Sequence, residues 1–297
     1  MSGEGWSIQC LIAGVVVQVK SDSSACREDM HKFLCLYQQV DSNDVSLTFC
    51  VIKQSHGFDF ILSDSIGAHT HLWFSADERE VSAALEIHFY SQLIQYLDPE
   101  IVSIHAAVLN IAEQACMFAG VSGAGKSSIC TAGLLTGAKY LSDEFALLDQ
   151  QGAIHPFPRP MQWEFATHPA FKREDIQNSG LISADYFDFP DASGNIARCH
   201  LWHPQHIQRE PLPLNYVVLH QYSSTLEKAE LTEIARHEAL VELPQHLHVQ
   251  RGLAKDLPML NQRIAKDCRF FRLGFPDVFE AWALIEDEVT KSLSGNV

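Results

Sequence analysis

Apolar and polar positions alternate in two ways along this chain, and the change falls near residue 98. Before it, Val15-Val16-Val17-Gln18-Val19, the run from Val45 to Ile52 and Phe58-Asp59-Phe60-Ile61-Leu62 are β-branched or aromatic stretches parted by polar, turn-prone segments. Such runs predict strands, and together a small β-rich N-terminal domain. From Glu78 to Leu97 the apolar positions Val81, Ala84, Leu85, Phe89, Leu93, Tyr96 and Leu97 recur at helical spacing, so one connecting helix is expected there. The domain border is placed at 98, giving residues 1–98 and 99–297. Beyond it, Ile101 to Leu109 and Ala115 to Ala119 read as buried strands, Ser127 to Leu135 as a helix, Leu214 to Leu219 as a further strand and Pro276 to Leu293 as a closing amphipathic helix. Pro156, Pro158 and Pro160 forbid a regular helix and predict an extended loop.

The second part carries the chemistry. Gly120-Val121-Ser122-Gly123-Ala124-Gly125-Lys126-Ser127 is a complete G-x-x-x-x-G-K-[ST] phosphate loop, preceded by an apolar strand and followed by Ser128 and a Pro-free helix. The glycines let backbone N–H groups turn onto phosphate oxygens, and the helix start adds its positive end. Lys126 is expected to reach the outer phosphates and Ser127 to hold Mg²⁺, with ATP as the nucleotide.

Seventeen positions after Lys126, Asp143 and Glu144 follow a short apolar step. Phosphoryl transfer needs a carboxylate near the metal and a base for the acceptor hydroxyl; either these two divide the roles or they are an acidic pair in a solvated loop. Successive strand side chains point to opposite faces, so both serve one site only where the strand ends and the backbone turns between them. His105, alone in its apolar strand, is read from chemistry as a satisfied core residue. Arg159 offers a planar donor fork to phosphate or forms a structural corner, and both readings stand. Cys199, His200, His203 and His206 are ligand-capable, but Pro204 argues against one helical face for zinc. Arg251 is a weaker phosphate contact.

The order strand with histidine, strand, phosphate loop, helix, paired acids resembles the catalytic domain of the HPr kinase/phosphorylase family. The shared elements are His105-Ala106, Gly120 to Ser127 and Asp143-Glu144. His155 to Pro160, His200-Leu201-Trp202 and the segment from Cys268 to Ala281 resemble the bacterial HPr-kinase-related kinases, over about residues 100 to 290. The fold implied is α/β, a P-loop nucleotide-binding domain of the HPr kinase type with a smaller β-rich N-terminal domain. The resemblance implies His105 at the phosphate site, Lys126, Ser127 and Asp143 on phosphates and metal, and Glu144 as proton acceptor. The chain departs from the family in lacking Glu-Ile-Arg-Gly and Pro-Gly-Arg-Asn segments, which leaves HPr as substrate and the reverse reaction outside what it implies. Glu164 is a replacement metal ligand or an ordinary surface glutamate.

Composition narrows the partners. The 297 residues are 46% hydrophobic and 20% charged, enough for real cores, and the net charge of −16 without a basic run argues against nucleic acid. The apolar run Leu11 to Val17 is too short to span a bilayer, and eight cysteines without C-x-x-C read as reduced, buried residues. A cytoplasmic chain is expected, with no membrane partner and with homo-oligomer formation left open. The leading expectation is a Mg-dependent ATP kinase acting on a hydroxyl of a protein, peptide or small metabolite. A non-catalytic ATP-binding regulatory module is the alternative, and a GTPase is disfavoured because no Asn-Lys-x-Asp motif is present.

Overall fold

The computed structural model describes residues 5–64, 67–75, 81–97, 100–163, 170–172, 174, 176, 181–190, 195–248 and 253–294. The expected border at 98, and Glu164 and Arg251, lie outside these. The chain forms two compact units, one of Met1–Pro99, Arg159–Ala166 and Ser183–His203, the other of Glu100–Pro158, Thr167–Ile182 and Pro204–Val297.

In the first unit, β1 (Trp6–Ile12), β2 (Val15–Ser21), β3 (Gln38–Gln39), β4 (Leu47–Gln54), β5 (Gly57–Asp64) and β6 (His69–Ser75) form one sheet in the order β3-β1-β2-β4-β5-β6. Strands β2 and β4 are parallel and joined through α1 (Ser24–Leu34); the other pairs are antiparallel. Alternation in β5 buries Phe58, Phe60 and Leu62 while the residues between stay partly open. Helix α2 (Val81–Tyr96) brings Phe89 to 4.8 Å from Phe49, ring to ring, and Tyr90 Oη donates to the Phe33 carbonyl of α1 at 3.3 Å.

The second unit is built on β7 (Val102–Ile111), β8 (Gln114–Ala119), β9 (Lys139–Ser142), β10 (Phe145–Leu148), β11 (Ala153–His155), β15 (Leu212–Tyr222), β16 (Glu230–Ile234) and β17 (Arg269–Phe275). The order is β11-β10-β7-β8-β15-β17-β16; β9 also pairs with β7, and β11 pairs with β15 as well as β10. That last pairing closes β11, β10, β7, β8 and β15 into a ring. Among the described strand pairs of this sheet, β8–β15 and β15–β17 are parallel and the rest antiparallel. Ile104, Ala106 and Val108 of β7 enter a core with Met117, Leu148, Leu219, Ala239 of α4 (Arg236–Glu242), Leu243, Leu260 of α5 (Leu253–Arg263) and Ile264 just beyond it. On the opposite face α3 (Lys126–Leu135) packs against β7 and against α6 (Val278–Ser294), where Trp282 Nε1 donates to Thr136 Oγ1 at 2.7 Å. A short third sheet, β12 (Met161–Trp163), β14 (Ile196–Pro204) and β13 (Leu181–Pro190), completes the described strands.

This corrects the expected fold class. Strand outweighs helix, 43% against 29%, and is spread over three sheets, so the chain is not an α/β P-loop domain with a small β-rich appendage. The sequence contains one strand-loop-helix unit, at residues 114–135, and the expectation extended that unit to the whole domain. Around it antiparallel pairs dominate. The first unit also draws on residues 159–166 and 183–203, well past its N-terminal stretch. Among the described residues, no helix is long and apolar enough to cross a membrane.

Candidate functional site

The glycine-rich loop leaves β8 at Gly120 and enters α3 at Lys126. Gly123 and Gly125 adopt φ of 78° and 100°, a region that side chains with a Cβ enter only at a cost. At Gly120 φ is ordinary and space is the constraint, since a Cβ would stand 2.8 Å from the His220 carbonyl oxygen and 2.9 Å from Ala124 Cβ. The loop is tied to the sheet by Tyr222 N–H, which donates to the Ala124 carbonyl at 3.1 Å. Helix α3 starts at Gly125 without a side-chain cap, so its first N–H groups keep the partial positive charge that attracts an anion.

Lys126 is buried, and its Nζ donates to the carbonyls of Gly120, at 2.8 Å, and Val121, at 3.3 Å. Burial lowers its proton affinity, while the Glu144 and Asp143 carboxylates push the other way. The acids therefore lie within electrostatic reach of the loop lysine. Their placement follows from the sheet. Strand β9 ends with Ser142 opposite Val108 and β10 begins with Phe145 opposite His105, so three residues advance on each side and no register is lost. Between them the buried Ser142 Oγ accepts from the N–H groups of Glu144, at 3.2 Å, and Phe145, at 3.0 Å. This serine turn bends the chain at the acid pair.

The bend separates the environments of the two carboxylates. Asp143 is buried and its Oδ1 accepts from Tyr140 Oη at 2.9 Å. Glu144 is about a third exposed, and its Oε1 lies 3.0 Å from His105 Nδ1. His105 thus faces a carboxylate and is not a core histidine satisfied by backbone. Two further histidines, which carry no periodic or motif signal in the sequence, stand at the same place. Leu247 bridges Ile104 and His248 N–H donates to the Ser103 carbonyl at 3.0 Å, laying this stretch along β7. The His248 ring is 5.7 Å from that of His105 at 68° and 4.8 Å from that of Phe145. His246, buried in the 3₁₀ turn Leu243–His246, has its proton affinity lowered by burial, then by the charges of Lys126 and His105. Behind the loop, His220 is enclosed by Phe118 and Phe275, and neither ring nitrogen finds a partner among the described residues. Burial, then the Lys126 charge, push it down to about 3.

Arg159 belongs to the first unit. Its guanidinium pairs with Glu86 at 3.0 Å and stacks over the Tyr90 ring at 5.2 Å, which gives it a structural use there. The zinc candidates have separate engagements as well. Cys199 Sγ approaches Gln162 Oε1 at 3.8 Å and His203 Nε2 meets the Lys32 carbonyl at 2.8 Å. Among the described residues no group of three or more His, Cys, Asp or Glu is arranged to hold a metal. Mg²⁺ takes few protein ligands and keeps its waters, so the Ser127 hydroxyl and the Asp143 carboxylate are a donor set of the right chemistry. A nucleotide fits the loop on the same footing: no Cβ fits at Gly120, two glycines hold positive φ, and a buried ammonium rests on carbonyls it can exchange for phosphate oxygens. No family model matches the chain, and no curated protein matches it.

Proposed function

We propose that the chain is a Mg²⁺-dependent ATP phosphotransferase that moves the γ-phosphoryl group to a hydroxyl of a protein, a peptide or a small metabolite. One observation carries the reading: Glu144, held 3.0 Å from His105 Nδ1, lies within electrostatic reach of the buried lysine of a complete phosphate loop. Loop N–H groups and Lys126 Nζ cradle the phosphates, and Lys126 balances negative charge on the transferring group. Glu144 takes the proton as the acceptor oxygen bonds to phosphorus and the bond to the bridging oxygen breaks. His105 orients Glu144 by donating from Nδ1, and Tyr140 holds Asp143. When bound, Mg²⁺ supplies positive charge to the phosphate oxygens, with Ser127 and Asp143 as the residues that would hold it. The order of motifs that resembles the HPr kinases supports the same assignment at residue level. Eight free cysteines support a cytoplasmic setting.

The test is transfer of labelled γ-phosphate from Mg·ATP into a cytosolic extract of the source organism, by the native chain and by Lys126→Ala and Glu144→Gln. Labelling that needs Lys126 and falls on the order of a hundredfold or more in Glu144→Gln, with Mg·ATP affinity kept within a few-fold, is the expected result. Transfer that survives Glu144→Gln overturns the assignment.

A further inference from the structure

His105 projects from a strand with its side chain about a quarter exposed, and the terminal torsion of an imidazole is broad, so one hydrogen bond to Glu144 does not by itself fix the ring. We infer that His248 is a positioning residue for the base: its ring packs near-perpendicular to that of His105 and keeps Nδ1 directed at Glu144. The inference rests on the phosphotransferase reading for its meaning, and on geometry for its content.

Three contacts fix His248 independently of any ligand. Its N–H bonds to Ser103, its neighbour Leu247 bridges Ile104, and its ring lies against Phe145, which the β7–β10 register places directly opposite His105. His248 therefore links the rings of His105 and Phe145 into one cluster, with the Glu144 carboxylate on His105. His248 Nε2 is buried and has no partner among the described residues, which suits a neutral ring held for its shape. Its surroundings favour that neutral state. Burial comes first in lowering its proton affinity, the neighbouring His105 adds to this, and Glu144 opposes it. His246 faces His105 and Lys126 from the 3₁₀ turn, with Glu242 of α4 drawing it the other way, and Lys126 faces both acids from α3.

The experiment is nitrogen-detected imidazole NMR on the full chain, with His248→Phe and His248→Ala beside the native protein, and it needs no acceptor. In the native protein at pH 7.5 His105 is expected in the Nδ1–H tautomer. In His248→Ala the nitrogen shifts of His105 move to values averaged over both tautomers. In His248→Phe, which keeps an aromatic ring in the same place, the native tautomer is retained at that pH. His105 shifts identical to native in His248→Ala, or tautomer-averaged shifts in His248→Phe, overturn the inference; should His248→Ala fail to fold, the phenylalanine variant decides alone. The kinase reading stands or falls separately on Glu144→Gln, so a negative NMR result with an inactive Glu144→Gln protein removes only the positioning role.

Discussion

Replacing Gly125 by alanine tests whether the loop is built by close packing or only by backbone freedom. Its φ of 100° costs an alanine about 1–2 kcal/mol. The new Cβ would also stand 2.9 Å from Phe275 Cζ, and Phe275 is buried, with its ring 5.9 Å from that of Tyr222, so it has little room to yield. Overpacking of this kind adds about 1–3 kcal/mol. The alanine recovers roughly 0.4–1 kcal/mol by restricting the unfolded chain, which leaves a net loss of about 2–4 kcal/mol. Gly123 is the internal control, because its φ is also positive, at 78°, while nothing lies within 4 Å of the added Cβ. There strain and unfolded-state entropy nearly cancel, for a loss of about 1 kcal/mol or less. Equilibrium urea unfolding reads the difference. With a slope of about 2 kcal/mol/M, Gly125→Ala should lower the midpoint by about 1–2 M and Gly123→Ala by less than about 0.5 M. Midpoints for the two variants within about 0.3 M of each other would refute the packing argument.

Other substitutions probe other parts of the second unit. Burial holds His220 at about 3, so between the unfolded value of about 6.5 and that value the unfolded chain binds the extra proton. Stability is fully present above the higher value and declines with falling pH by up to about 1.4 kcal/mol per unit; His220→Leu should flatten that decline in urea midpoints measured from pH 7 to 4, and an unchanged slope would count against it. Ala112 and Glu113 both have positive φ, 51° and 64°, in the two-residue turn between β7 and β8. Ala112→Asn suits that turn and keeps the Glu113–Lys139 ion pair, so it should stabilise by about 0.5–1 kcal/mol and raise Tm by about 2–4 °C; a lower Tm would contradict the turn assignment. Ser142→Ala removes the acceptor for two N–H groups and should cost about 1–3 kcal/mol, with a fall in Glu144-dependent transfer. Equal stability and transfer in the two proteins would show that the bend forms without it.

What could be read from the sequence was local. The apolar run before Gly120, the glycine spacing and the Pro-free segment after it correspond to β8, the loop and α3, and the helical spacing up to Leu97 corresponds to α2. The long apolar runs at 101–109 and 214–219 lie in β7 and β15. Elements whose identity depends on distant partners gave little signal. Strand β11 is three residues long and exists through pairing with β10 and β15, and α5 contains Pro258, which local rules oppose. The fold class failed for this reason, because strand pairing across long separations decides whether a strand-loop-helix unit sits in an alternating or a mixed sheet. The acid pair and the loop were visible as motifs. His246 and His248 were not, since their closeness to His105 depends on a bridge between residues 104 and 247 that no window along the chain contains.

The unbroken register across the acid pair ties two properties of the protein together. Asp143 and Glu144 occupy the only two positions between Ser142, opposite Val108, and Phe145, opposite His105. Removing or adding one residue there would slide β10 by one step and exchange its two buried faces, sending Phe145 and Leu147 into the spaces shaped for Ala146 and Leu148. The spacing of the carboxylates is therefore guarded by the hydrophobic core, and a shift in that spacing would be eliminated as a folding defect before it was ever tried as chemistry. Variation at this place is confined to side-chain identity: the protein is free to choose which acids stand here, and the sheet decides how far apart.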